Sequence, residues 1–260
     1  MQGHQARKRF GQNFLADTHY VRRIIDAVAP VPGDNLVEIG PGLAAITGGL
    51  IERAGHISAI EIDRDLAARL RTDFTPAQLT LHEADALAFD YPSLGPNLRV
   101  VGNLPYNISS PLLFLLAAHD AQLRDLHVML QKEVVARMTA APGTADYGRL
   151  TVMLQVRFRI TRLFIVPPGA FRPAPKVESA VARLAPLHDA KPIIADEPLF
   201  ARVVGAAFMQ RRKTLRNALS TLCDAKAIES AAVDPGARGD TLSVADFVRL
   251  TDVIAQTPPT

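Results

Sequence analysis

Residues 35–63 read "NLVEIGPGLAAITGGLIERAGHISAIEID". The apolar run "NLVEIG" (35–40) ends in a Gly-Pro-Gly turn. "AITGGLIERA" (45–54) follows with helical character, and "HISAIEID" (56–63) is a second short apolar run. Strand, turn, helix and strand in this order make a crossover unit, which joins parallel strands. The same alternation continues outward. "LTLHEAD" (79–85), "LRVVGNL" (98–104) and "LHVMLQ" (126–131) read as strands, with "RDLAARLRTDF" and "SPLLFLLAAH" as helices between them. Upstream, Val21, Ile24, Ile25 and Val28 stand at helical spacing and predict a helix over 18–29. Apolar strands alternating with helices predict an α/β fold, a doubly wound parallel sheet covered on both faces.

Downstream the pattern changes. "LTVMLQVRFRITRLFIV" (150–166) and "ESAVARLAPL" (178–187) read as two more strands, joined by the proline-rich "PPGAFRPAPKV" as a hairpin-type excursion at one sheet edge. After the linker "LHDAKPIIADEP", only helical periodicity remains, at 198–221, 224–232 and 243–255. The expected division is therefore an α/β domain over 1–187 and a small all-helical domain over 188–260.

Composition narrows the classes. With 260 residues and 48% hydrophobic content, the chain can bury one sizeable core and a smaller one. The single cysteine, Cys223, excludes an intrachain disulfide framework and fits a reducing cytoplasm. Seven histidines include no H-x-x-x-H pair, so no metal site is expected. "MQGHQARKRFGQNF" at the start has no apolar stretch of the signal-peptide kind. "LLFLLAA" (112–118) is far short of the roughly 20 residues that span a bilayer, so no membrane partner is expected. The net charge of +3 is mild but clustered. Arg7, Lys8 and Arg9 are consecutive, and residues 198–219 carry Arg202, Arg211, Arg212, Lys213 and Arg216 with no acid. On one helix these five would form a patch for a polyanion.

The turn "VEIGPG" suits a ligand. Gly40 and Gly42 permit tight turning and close backbone approach, although Ala44 and Ala45 stand where stricter glycine-rich loops have a third glycine. Glu61 ends the next strand about 20 residues on, where such folds place an acid on ribose hydroxyls. Asp85 ends the third strand. Three strand ends in register at one sheet edge predict a nucleotide-type cofactor, NAD or S-adenosylmethionine (SAM). No His or Lys is placed for hydride chemistry.

The fourth strand runs into "VVGNLPYNISSPLL" (100–113). Asn103-Leu104-Pro105-Tyr106 leaves the strand beside the cofactor edge. The Asn103 side-chain oxygen and a backbone carbonyl at Leu104 or Pro105 can accept both N–H bonds of an exocyclic amine. Its lone pair would then point at a methyl carbon about 3–3.5 Å away. Pro105 stiffens the turn, and Tyr106 offers a stacking face worth roughly 1–3 kcal/mol per base. Phe171, in the proline-rich loop, is a second stacking candidate.

Taken in order, "GQNFL" (11–15), "VEIGPGLAAIT" (37–47), "AIEID", "EADAL", "VVGNLPYNIS", "LQKEVVARM" (130–138), "YGRLTV" (147–152), "VPPGAFRPAPKVESAVARL" (166–184) and "QRRKTLRN" (210–217) resemble the rRNA adenine N6-dimethyltransferase family over about residues 7–250. The resemblance is strongest to its bacterial small-subunit branch. It implies a Rossmann-like SAM-dependent methyltransferase sheet with helices on both faces, plus a small all-helical C-terminal domain. It also implies SAM as cofactor and, as substrate, two adjacent adenosines near the 3′ end of 16S rRNA within the 30S subunit or its precursor. By the same resemblance Asn13, Leu15 and Gly40 line the methionine end of SAM, Glu61 takes the ribose and Asp85 the adenine. Asn103 serves both cofactor and target, Tyr106 and Phe171 sandwich the flipped base, and Arg211, Arg212, Lys213 and Arg216 grip RNA. A monomer acting in the cytoplasm is the expected form. The competing expectations are a large-subunit rRNA methyltransferase of the antibiotic-resistance type and a SAM-binding assembly factor whose main role is binding. A DNA adenine methyltransferase is disfavoured, because those usually carry an acid where Asn103 stands.

Overall fold

A computed structural model describes residues 13–256. Two compact units divide the chain. One holds residues up to 135 together with 160–186, the other 136–159 together with residues from 187 onward. The first unit is built on a seven-stranded sheet. Its strands are β2 (Leu36–Ile39), β3 (Ile57–Glu61), β4 (Leu79–Glu83), β5 (Leu98–Asn103), β6 (Leu123–Gln131), β7 (Phe158–Val166) and β9 (Ser179–Pro186), in the order β4-β3-β2-β5-β6-β9-β7. The five strands from β4 to β6 pair in parallel, and β9 joins β6 antiparallel. The chain leaves β2 toward β3 on one side and returns to β5 on the other, so a topological switch point lies at the carboxyl ends of β2 and β5.

Helices α1 (Thr18–Val28), α2 (Thr47–Ala54), α3 (Arg64–Asp73) and α4 (Ser109–Ala118) fall where the apolar spacing predicts them. Asp17 and Asp63 cap α1 and α3 by accepting backbone N–H bonds in the first turn. The apolar stripe of α1 meets α2 and the sheet through Ile24, Ile25, Leu50 and Ile51. Gly102 in β5 has no alternative residue, since a Cβ there would lie 2.6 Å from the Ile39 carbonyl oxygen. A separate two-stranded ribbon pairs β1 (Phe14–Leu15) with β8 (Phe171–Arg172) antiparallel.

The amino ends of the strands are locked by charge. Arg99 in β5 donates to both carboxylate oxygens of Asp125 (2.9 and 3.0 Å), to Asp34 (2.6 Å) and to the Val28 carbonyl at the end of α1 (2.6 Å). The side chains of Arg99, Asp34 and Asp125 are almost fully buried.

The second unit is helical. Helices α6 (Arg149–Gln155), α7 (Glu197–Met209), α8 (Leu215–Ala218), α9 (Ala225–Ser230) and α10 (Val244–Gln256) enclose a core including Val152, Phe200, Leu215, Ile228 and Phe247. Tyr147 anchors this core, its hydroxyl donating to the Leu242 carbonyl at 2.7 Å. Helix α5 (Lys132–Met138) bridges the chain from one unit to the other.

In three places the chain folds differently from what its sequence pattern predicts. Residues 149–155 form a helix and not a strand, and strand geometry starts only at Phe158. Val152, with Val156 just beyond the helix, packs into the helical core, and burial overrides strand propensity. As a consequence 136–159 groups with the helices, so a single boundary at 187 does not separate the compact units. Finally, 198–221 is not one helix. It breaks after Met209, because the Leu215 and Arg216 N–H groups donate to the Ala237 and Pro235 carbonyls rather than to a preceding helical turn.

Candidate active site

The carboxyl ends of β2, β3 and β5 open into a cleft of about 200 Å³, lined by Gly40, Gly42, Glu61, Asp85 and Asn103 together with Leu104, Pro105 and Tyr106. Asn13 and Leu15 line it from the ribbon. All expected cofactor residues thus converge on one cavity.

The glycine turn is built tightly. Gly42 adopts a left-handed φ of 59°, and a Cβ there would press to 3.1 Å against the Phe14 ring. Its N–H donates to Glu61 Oε2 at 3.1 Å, and the Asp63 N–H donates to Oε1 at 2.9 Å. Glu61 therefore clips the turn to the end of β3. Burial pushes its carboxyl above the usual range, with the backbone N–H bonds opposing that rise. Ala44 turns left-handed as well, at a φ of 64°. An alanine in that conformation is strained where a glycine would not be. Asp85 stays exposed, and its Oδ1 accepts the Leu87 N–H at 2.9 Å.

Glu38 lines the same cleft and carries no sequence signal beyond being a charge inside an apolar strand. It is 2% exposed, and its Oε2 has no hydrogen-bond partner. Burial drives its carboxyl up to about 8; Thr47 opposes the rise in part, and the Glu61 charge adds to it. An orphaned carboxylate beside a glycine turn suits a ligand that brings a cation. SAM, with its ammonium and sulfonium groups, has that chemistry.

Asn103 is oriented by the chain itself. Its Nδ2 donates to the Asn13 carbonyl at 2.9 Å. A carbonyl accepts only, so the amide is turned with Oδ1 on its other side. The Pro105 carbonyl accepts the Ile108 N–H at 3.1 Å, closing the turn, while no hydrogen bond among the described residues engages the Leu104 carbonyl. Tyr106 is half-buried, and its hydroxyl meets Ser179 Oγ at 2.7 Å.

Phe171 departs from expectation. It is fully buried in the core under the ribbon, paired with Leu15, and does not line the cleft. Antiparallel pairing with β1 turns position 171 inward, while Arg172 faces out. The basic run also differs from a helix face. Arg211, Arg212 and Lys213 are exposed in the break after α7, with Arg216 exposed on α8. Arg211 is held by the carbonyls of Ala145 and Tyr147. Arg7, Lys8 and Arg9 lie outside the described residues. No cluster of His, Cys, Asp or Glu among the described residues could hold a metal ion, and no described helix is long and apolar enough to cross a membrane.

A switch-point sheet with a glycine turn, a strand-end acid and an Asn-Leu-Pro-Tyr loop defines a SAM-dependent methyltransferase of the amine-modifying class. Residues 3–256 match the family model for ribosomal RNA adenine dimethylases, and the chain belongs to that family. It is 60% identical over 259 residues to "Ribosomal RNA small subunit methyltransferase A" of Aromatoleum aromaticum, covering 100% of this chain and 98% of that protein. The protein of the same name from Thiobacillus denitrificans is 57% identical, covering 97% and 99%. Among solved structures, a dimethyladenosine transferase from Plasmodium falciparum superposes with a TM-score of 0.79 at 24% identity, covering 91% of this chain and 95% of that one. The 23S rRNA methyltransferase ErmE superposes at 0.69 with 26% identity, covering 94% and 100%.

Proposed function

We propose that this chain dimethylates the N6 amines of two adjacent adenosines near the 3′ end of 16S rRNA, in the small subunit or its precursor, and so takes part in subunit maturation in the cytoplasm. The observation that carries this reading is Asn103, whose amide is turned by the Asn13 carbonyl so that Oδ1 remains for a target N–H. The choice of small-subunit RNA rests on relatives of that name at 57–60% identity over nearly full length, against 26% for the 23S rRNA enzyme.

Bound SAM supplies a methyl group on a sulfonium, already activated as an electrophile. The protein's part is to hold the acceptor. The adenine amine is a weak nucleophile, because its lone pair is delocalised into the ring. Asn103 Oδ1 and the Leu104 or Pro105 carbonyl accept its two N–H bonds and favour a localised lone pair. Tyr106 stacks on the base, which is unstacked from the RNA at a cost of a few kcal/mol. Phe171 supports β1 from beneath, a packing role in place of a second stacking face. At the cofactor end, Glu61 holds the ribose, Asp85 the adenine, and Glu38 stands ready for the ammonium group, with Asn13, Leu15, Gly40 and Gly42 shaping the walls. Arg212, Lys213 and Arg216 contact phosphates, which gives affinity and register rather than sequence choice. Arg7, Lys8 and Arg9 add to that charge.

The test uses tritiated SAM with small and large ribosomal subunits from cells lacking the activity, digested to nucleosides. Label in N6,N6-dimethyladenosine from the small subunit, lost in Asn103→Ala, is the expected result. Label confined to large-subunit RNA would move the chain to the resistance-type branch. SAM binding without transfer to either would leave a binding factor.

A further inference from the structure

We propose that Ser179 is a positioning residue for methyl transfer, fixing the plane of the Tyr106 ring, and that its effect is greatest on the second methylation. This deepens the function proposed above and rests on it. Ser179 is the first residue of β9 and is fully buried. Its hydroxyl lies 2.7 Å from the Tyr106 phenol oxygen, across 73 residues of sequence. The backbone that carries the ring is tied as well, since Ser109 Oγ donates to the Tyr106 carbonyl at 3.0 Å. The start of β9 is itself held against β6. Lys132 N–H donates to the Glu178 carbonyl at 2.9 Å, and Lys132 Nζ pairs with Glu178 Oε2 at 2.7 Å. The phenol oxygen lies on the axis about which the ring turns, so the Ser179 contact holds that axis in place, and because hydrogen bonds of a phenol prefer the ring plane it also favours one setting of the ring for a base to stack on.

A stacking plate alone needs no hydroxyl, and phenylalanine would serve. The hydroxyl matters where orientation is scarce. An unmodified adenine amine brings two N–H donors for the Asn103 oxygen and the loop carbonyl, which together set its angle. The monomethylated amine brings one. Orientation in the second transfer therefore depends more heavily on the plate, and a loosened Tyr106 slows the second step more than the first.

Ser179→Ala, Tyr106→Phe and the double variant test this with unmethylated small subunits, following kcat, the subunit KM, the SAM dissociation constant and the ratio of mono- to dimethyladenosine. The expected result is a kcat reduced about 10-fold in each single variant, as small misplacements produce. KM and SAM affinity stay within about twofold, N6-monomethyladenosine accumulates, and the double variant is no slower than Tyr106→Phe. A wild-type product ratio in Ser179→Ala, or losses that multiply in the double variant, would overturn the proposal. Should Ser179→Ala not fold, Tyr106→Phe leaves β9 untouched, and its product ratio decides alone. An inactive wild type would sink the underlying function and this inference together; an active wild type with unaffected variants would sink only the inference.

Discussion

The two ends of the parallel strands bury carboxylates, and Asp34 and Glu38 are treated in opposite ways. At the amino ends, Asp34 is pushed up by burial, but the Val31 N–H and the guanidinium groups of Arg99 and Arg124 outweigh that, leaving it below its ordinary range. At the carboxyl ends burial wins over everything near Glu38, and one of its oxygens has no partner. Asp34 is satisfied from within the chain, whereas one oxygen of Glu38 is left for something the chain does not supply. A closed ion cluster marks structure, and an open one beside a cleft marks a binding site.

Arg99→Ala leaves Asp34 to Arg124 and the Val31 N–H, but leaves the buried Asp125 with a long contact to Arg183 at 3.5 Å in its place, and is expected to destabilise the fold by about 3–5 kcal/mol, read by urea unfolding. A loss under about 1 kcal/mol would mean that the amino-end cluster is no lock. At the other end, Asn103→Ala is expected to lower kcat by about 10²–10³-fold, the range for removing one oriented polar group in a reacting site. Stability should change little, as thermal unfolding of the same samples would show.

Glu38 makes stability depend on pH. Its folded-state value of about 8 lies above the ordinary 4.5, so the folded protein keeps a proton that the unfolded chain has released. Stability from this group is full below about pH 4.5 and falls as pH rises toward 8, with a slope of up to about 1.4 kcal/mol per pH unit. Glu38→Gln is expected to remove that slope and to weaken SAM binding by about 10- to 100-fold, the worth of a hydrogen bond to a charged group. Calorimetry in two buffers of different ionisation enthalpy should also show a proton released on SAM binding near pH 7 in the wild type only. The smallest effect concerns the turn itself. Ala44→Gly relieves a left-handed alanine and should stabilise the protein by less than about 1 kcal/mol, visible as a small rise in Tm.

The central strands were legible because buried parallel strands read as apolar runs, and Gly40, Glu61, Asp85 and Asn103 because each stands at or just past the carboxyl end of one. What escaped depends on contacts distant in sequence. Helix α6 is made by the core it fills, and α7 stops because carbonyls at 235 and 237 capture the backbone beyond it. Phe171 looks like a loop aromatic until β1 pairs with it and turns it inward. Ser179 is unremarkable in sequence, since its partner lies across the sheet at the end of another strand.

The segment 136–159, threaded between β6 and β9, has a consequence for synthesis. As the chain emerges, β6 comes out first and its open edge must wait for β9. Meanwhile Tyr147, Val152 and Val156 have been made, but Phe200, Leu242 and Phe247, which share their core, have not. Each unit is thus interrupted by the other, and neither can mature while the ribosome is still near its middle. A gene fragment ending at 187 would complete the sheet and strand the first piece of the helical unit with its apolar side uncovered, the kind of surface that recruits chaperones or aggregates.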